Sequence, residues 1–198
     1  MSATATKPVQ GRLSAEPTPS RQAIADWLAT TAERPTLVPI YREIMADAET
    51  PVSAFNRIQQ GRPGFILESV EGGERIARYS FIGAGPFGSI HLEDGTATIT
   101  VDGVTRTETY TDPLAILESL LAGYEAVSVP GVALPRFVGG AVGYLAYEAV
   151  RAFEPRIGLA NGPGLGYPDA EFMLVDSLLV FDNVSRTIKV VSHLNLAD

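Results

Sequence analysis

Two Asp-Gly pairs, Asp94-Gly95 and Asp102-Gly103, constrain this chain more than any other feature of it. Each stands between short β-prone runs: Gly88 to Leu92, Thr96 to Val101 and Val104 to Tyr110. An Asp-Gly connection suits the left-handed backbone of a two-residue hairpin turn, whose twist matches that of the strands it joins. Three runs joined by two such turns predict an antiparallel meander. Other stretches repeat the logic. Phe65 to Val70 and Ile76 to Ile82 flank Glu71-Gly72-Gly73-Glu74 and read as a hairpin around a glycine pair. Ala170 to Phe181 and Thr187 to Leu194 are long β-prone runs joined by Asp182-Asn183, and read as a closing hairpin.

Helices are announced by their caps. Ser20 can cap a helix through about Ala32, with Ile24, Trp27 and Leu28 on one face, which makes Trp27 a packing residue. Thr50-Pro51 and Asp112-Pro113 each place a capping side chain before a proline, which at the first helical position sacrifices no hydrogen bond. Val52, Phe55 and Ile58 follow the first at helical spacing, and Gly61 ends that helix. Leu114, Ile116, Leu117, Leu120 and Leu121 follow the second, up to Gly123. A fourth helix is expected from Gly143 to Val150. Pro35 to Ile44 reads as a strand, and Pro39 within it demands an edge or a bulge. Val127 to Leu134 and Arg156 to Pro168 read as loops. Residues 1–19, rich in Ser, Thr, Ala and Pro, read as a disordered lead-in to one folded region over 20–198. The pattern amounts to an α+β fold, mainly antiparallel sheet with about four flanking helices.

Charge and residue usage exclude several functions. With 15 basic against 23 acidic residues the net charge is −8, and no Lys/Arg cluster offers the basic face that nucleic acid or an anionic membrane requires. There is no cysteine, so disulfides, thiolate nucleophiles and Cys-based metal sites are excluded together, which fits a cytoplasmic protein. No apolar run approaches 18 residues, and the first residues lack an apolar signal core. The two histidines, His91 and His193, lie in separate predicted strands, neither with a second histidine or carboxylate at metal-ligand spacing. Gly139, Gly140 and Gly143 are not followed by the Lys-Ser/Thr pair of a phosphate loop, and read as close backbone packing where a strand meets the fourth helix. No nucleophile-elbow pattern occurs. The residues therefore show no catalytic constellation.

One detail stands apart. The run Phe65 to Val70 carries Glu68 and Ser69 near its end, where a strand entering a core needs partners for a carboxylate and a hydroxyl. A strand reaching the surface at a loop explains this, and a ligand site is the alternative. The pairs Glu68/Glu71 and Glu71/Glu74 read as solvated loop charges.

Five blocks, in order over about residues 35 to 195, carry a resemblance. They are Thr50-Pro51-Val52-Ser53-Ala54-Phe55, Ile66-Leu67-Glu68-Ser69, Arg78-Tyr79-Ser80-Phe81-Ile82-Gly83, Pro135 through Tyr144, and Leu179-Val180-Phe181-Asp182-Asn183. Together they resemble the N-terminal region of anthranilate synthase component I, where Leu-Leu-Glu-Ser is usual and this chain has Ile66 first. The resemblance implies the front half of the chorismate-utilising enzyme fold and a region that carries the tryptophan feedback site. By motif match Leu67, Glu68 and Ser69 would bind tryptophan, with Arg78 and Tyr79 on the adjacent strand. No catalytic residue is expected in this chain. The lyase chemistry of chorismate, ammonia and Mg2+ would lie in a C-terminal region beyond Leu196, so this chain alone is expected to be inactive and to bind no metal. The complete enzyme would convert chorismate and glutamine-derived ammonia to anthranilate and pyruvate in tryptophan biosynthesis. Its expected partners are a glutamine amidotransferase subunit (component II), its own C-terminal region, and L-tryptophan as allosteric effector, with no nucleic acid and no membrane. The chorismate subunit of aminodeoxychorismate synthase has a similar front half and is the alternative among enzymes, although the Glu-Gly-Gly-Glu-Arg hairpin favours the tryptophan enzyme. A stand-alone tryptophan-binding module is the alternative outside them.

Overall fold

In the computed structural model both Asp-Gly pairs form the turns their chemistry dictates. Asp94 and Asp102 have φ of 47° and 49°, and Gly95 and Gly103 have 74° and 79°. Positive φ at both central residues is what a two-residue hairpin with matched twist requires. The structure describes residues 16–32, 35–68, 78–154, 156–157 and 165–196. In chain order its elements are α1 (Arg21–Thr30), β1 (Leu37–Met45), α2 (Pro51–Gln59), β2 (Gly64–Leu67), β3 (Tyr79–Ala84), β4 (Gly88–Glu93), β5 (Thr96–Val101), β6 (Val104–Thr109) and α3 (Pro113–Leu121). There follow β7 (Gly140–Leu145), a 3-10 turn (Tyr147–Ala149), α4 (Val150–Phe153), β8 (Ala170–Val175), β9 (Leu178–Asp182) and β10 (Thr187–Asn195).

The strands form two five-stranded sheets, ordered β1-β10-β9-β3-β2 and β6-β5-β4-β8-β7. Every strand pairing within them is antiparallel. The fold is thus α+β with antiparallel sheets, as its turn chemistry foretells. In the second sheet Ile90, Leu92, Ala97, Ile99, Ala170 and Leu174 point to one face and bury it under Leu117 of α3. The first sheet is covered on both faces. Ile82, Phe181 and Ile188 pack against Ala54 of α2, while Leu178, Val180 and Val191 pack on the other side against Phe137 and Val138. Alternate side chains of β9 thus enter different cores, which is why that strand is apolar throughout.

The caps hold as read. Thr50 Oγ1 accepts from the Ser53 amide at 3.1 Å and Ser53 Oγ accepts from the Thr50 amide at 2.9 Å, a reciprocal box that satisfies two helix-end donors. Ser20 and Asp112 cap α1 and α3. Trp27 packs with Leu28 against Ile24, Val38 and Val129. Pro39 lies in β1, an edge strand. The amides of Leu37 and Tyr41 face outward, to Glu125 O at 3.0 Å and Thr18 O at 2.9 Å. Pro39, between them on the same side, takes an outward position where a missing N–H costs no bond to β10.

Three expectations are corrected. Residues 143–150 are not a helix: β7 occupies Gly140–Leu145, and helical backbone begins only at Tyr147. The cause lies at Gly143, where a Cβ would collide with the Glu171 carbonyl oxygen of β8 and stand 2.6 Å from Phe172 Cα. That glycine serves the close approach of two strands. The run Ala170 to Phe181 is two strands, broken at Asp176-Ser177, and the two halves belong to different sheets. Hydropathy does not register a change of sheet, because both halves carry apolar side chains into a core. Finally, the end of the expected lead-in is ordered. Thr18 exchanges two hydrogen bonds with Tyr41, at 2.8 and 2.9 Å, while residues 1–15 lie outside the described ones.

Candidate functional site

The site read from the sequence lies where β2 ends at the edge of the first sheet. Leu67 pairs with Phe81 and is 45% exposed, and Glu68 follows it on the surface. Ser69 and the rest of the connection to Ile76 and Ala77, with Glu71 and Glu74, lie outside the described residues. The predicted hairpin is present in its strands: β2 and β3 pair antiparallel from Gly64–Ala84 to Leu67–Phe81.

Arg78 and Tyr79 open β3, and Arg78 is firmly held. Its Nε donates to both carboxylate oxygens of Asp182 at 3.1 Å, and its Nη2 donates to Oδ2 at 2.7 Å. The guanidinium also lies over the Tyr79 ring, 5.0 Å from the centroid. Asp182, only 4% exposed, ends β9 opposite Tyr79. Its Oδ1 accepts from the amides of Val184 and Ser185, at 3.1 and 3.2 Å. Burial pushes this carboxyl up, but Arg78 and the two amides outweigh burial and bring it down to about 2. The hydrogen bonds that Arg78 donates to Asp182 raise the guanidinium above its ordinary value. The backbone closes the corner: the Asn183 amide donates to Arg78 O at 2.8 Å.

The blocks that carry the resemblance meet here. Leu179 to Asn183 lies beside Arg78 to Gly83 as neighbouring strands. Phe137, from the Pro135 block, stands edge-on to Phe81 at 5.4 Å and to Phe65 at 6.3 Å. Phe55, from the Thr50 block, sits so close to Gly64 that a Cβ there would be 2.8 Å from its ring. Segments far apart in sequence thus enclose the β2–β3 pair from above, below and beside. The reading from sequence missed Asp182 and Phe137 as parts of this neighbourhood. In the sequence Asp182 reads as a turn residue, and nothing beside it marks Arg78 as its partner.

The remaining candidates do not converge. His91 Nε2 lies 3.5 Å from Glu93 Oε2 on an exposed face, and His193 Nδ1 lies 2.7 Å from the Asp176 carbonyl oxygen. Both are strand residues, as expected. Among the described residues no group of three or more His, Asp or Glu is placed to hold a metal ion. No described helix is long and apolar enough to cross a membrane.

No family model matches the chain. Curated proteins do. The anthranilate synthase component 1 of Acetivibrio thermocellus is 35% identical over 173 residues, covering 86% of this chain and 34% of that protein. That of Pseudomonas aeruginosa is 38% identical over 169 residues, covering 84% and 34%. That of Synechocystis is 39% identical over 168 residues, covering 83% and 32%. The chain spans about a third of the length of the curated relatives it matches. Among solved structures, anthranilate synthase component I from Streptococcus pneumoniae TIGR4 aligns at 26% identity and a TM-score of 0.44, over 82% of this chain and 32% of that one.

Proposed function

This chain is a homologue of part of anthranilate synthase component 1, and from that premise we propose that it forms the N-terminal, tryptophan-sensing region of such an enzyme. The observation that carries the proposal is the identity of 35 to 39% with component 1 proteins of three organisms, over more than four fifths of the chain. The complete enzyme would make anthranilate and pyruvate from chorismate and glutamine-derived ammonia, with a glutamine amidotransferase as partner. The magnesium and the lyase chemistry are assigned to the part of the relatives' length that this chain does not span. Incubated alone with chorismate, ammonium and magnesium, the chain is expected to yield no anthranilate fluorescence above background, and turnover would overturn that assignment.

The role left to this chain is recognition. A zwitterionic indole needs an apolar wall, an anion for its ammonium and a donor for its carboxylate. Exposed Leu67 supplies apolar surface at a free strand edge, and Glu68 supplies the anion. Ser69 is assigned the hydroxyl donor. Tyr79 is the second wall, and Arg78, already committed to Asp182, acts by holding that ring. The test is a full-length enzyme rebuilt around this sequence, with Ser69→Phe in the slot. The variant is expected to keep most of its uninhibited rate. It should need at least about tenfold more tryptophan for half-inhibition, equivalent to roughly 1.4 kcal/mol. A folded variant with wild-type sensitivity would remove Ser69 from the effector site.

A further inference from the structure

Where the chain passes from one sheet to the other, a cavity of about 240 Å³ opens between them. Its walls come from parts of the chain that only the fold brings together. Phe87 precedes β4, Leu121 and Tyr124 end α3 and its following turn, and Val175 ends β8. The Phe87 and Tyr124 rings stand 5.8 Å apart and tilted by 59°, forming an aromatic side. Neither belongs to the neighbourhood of Leu67 and Glu68.

The polar lining has one sign. The charged residues that line the cavity are Asp102, in the β5–β6 turn, and Asp176, at the crossing between sheets, and among the described residues no lysine or arginine lines it. His193 joins them from β10. A carbonyl oxygen can only accept, so the 2.7 Å contact to Asp176 O places a hydrogen on Nδ1. Gly139 keeps this corner open, since a Cβ there would sit 3.0 Å from His193 Cε1 and 2.9 Å from Val175 O. The result is an aromatic and aliphatic hollow bordered on its polar side by Asp102, Asp176, His193 and Asn195.

We infer that this junction cavity is a binding site for a small monocyclic primary ammonium. The volume lies below the usual range of drug-sized pockets, about 300–1,000 Å³, and so suits a single ring. Aromatic faces and carboxylates both favour a cation, through the ring quadrupole and by direct pairing. A ligand carboxylate would meet Asp102 and Asp176 as like charges, so the cavity discriminates against amino acids. It is therefore a different site from the tryptophan site proposed above and stands independently of it.

The test is a titration of this chain with 2-phenylethylammonium, followed by amide chemical shifts, against 3-phenylpropionate and L-tryptophan as comparison ligands. Saturable shifts centred on Gly139, Asp176 and His193 are expected with the ammonium. The propionate, with the same ring and the opposite charge, should bind at least about tenfold more weakly, and L-tryptophan should leave these amides unmoved. The double variant Asp102→Asn/Asp176→Asn replaces two exposed side chains, and asparagine tolerates the left-handed backbone at 102. It should lose at least about tenfold in affinity for the ammonium. Absence of saturable shifts, equal binding of the two phenyl compounds, or unchanged affinity in the double variant would each overturn the inference. The comparison of the two phenyl compounds needs no variant.

Discussion

Asp182→Ala is expected to lower the unfolding free energy by about 2–3 kcal/mol, measured by denaturant unfolding at neutral pH. Asp182 is 4% exposed and receives Arg78 together with two backbone amides. Truncation leaves those amides and the guanidinium without their acceptor. Removing one partner of a fully buried pair costs about 3–5 kcal/mol. The Arg78 side chain is 44% exposed and can recover water, which places the expected cost below that range. The effect has a pH signature. The folded carboxyl titrates at about 2 against an ordinary 3.8. The unfolded chain therefore takes up this proton first as acid is added. The contribution is complete above about pH 4 and is lost as pH falls toward 2. Glu43, lowered by its hydrogen bonds from Thr187 and Lys189, acts in the same direction. Asp182→Asn should therefore flatten the acid limb of the stability profile without abolishing it. An acid limb as steep as wild type in that variant would place the sensitivity elsewhere.

The second large effect is expected at Gly143. Gly143→Ala should cost about 3 kcal/mol, the upper part of the range for forcing atoms into a packed site. The obstacle is backbone: Glu171 O and Phe172 Cα, neither of which can turn away as a side chain could. The strain should be relieved by loosening β7 from β8, so amide exchange over Ala141 to Leu145 should accelerate more than in β4 or β5. Gly103→Ala is the matched comparison. Nothing lies within 4 Å of a Cβ there, but φ is +79°, so about 1 kcal/mol is expected from conformation alone. A cost at Gly143 no larger than at Gly103 would show that the two strands do not approach so closely.

These two residues also mark the limit of what the sequence discloses. Turns and caps are local chemistry, and they were legible: Asp94-Gly95, Asp102-Gly103, Thr50-Pro51 and Asp112-Pro113 all do what their residue types allow. Pro39 named its own edge. Partnership across the chain was not legible. Nothing near Asp182 in sequence says that Arg78 faces it, and an Asp-Asn pair after an apolar run is equally good as a plain turn. Gly143 reads as a helix start because its neighbours suit one, and only the presence of β8 beside it makes the strand. Asp176-Ser177 separates strands of two sheets, yet shows as a single polar interruption in an apolar run. Glu68 and Ser69 stand out in the sequence as a mismatch, a carboxylate and a hydroxyl at a strand end. The packing of Phe137 against Phe65 and Phe81 is not readable there.

The pairing of β1 with β10 sets an order of events during synthesis. Leu37 lies against Asn195 and Met45 against Thr187, so the ladder joins segments made far apart in time. At about 5–20 residues per second, β1 waits roughly seven to thirty seconds after leaving the ribosome before its neighbour exists. In that interval its strand contacts are the Thr18 bridge and, once residue 126 has emerged, the bridge from Leu37 to Ala126. The meander of β4, β5 and β6 has no such delay, because its neighbours follow one another directly. Three strands of the second sheet can therefore assemble while the nascent chain is still growing, whereas β4 gains its other neighbour only with β8, and the first sheet is completed only when its last strand arrives.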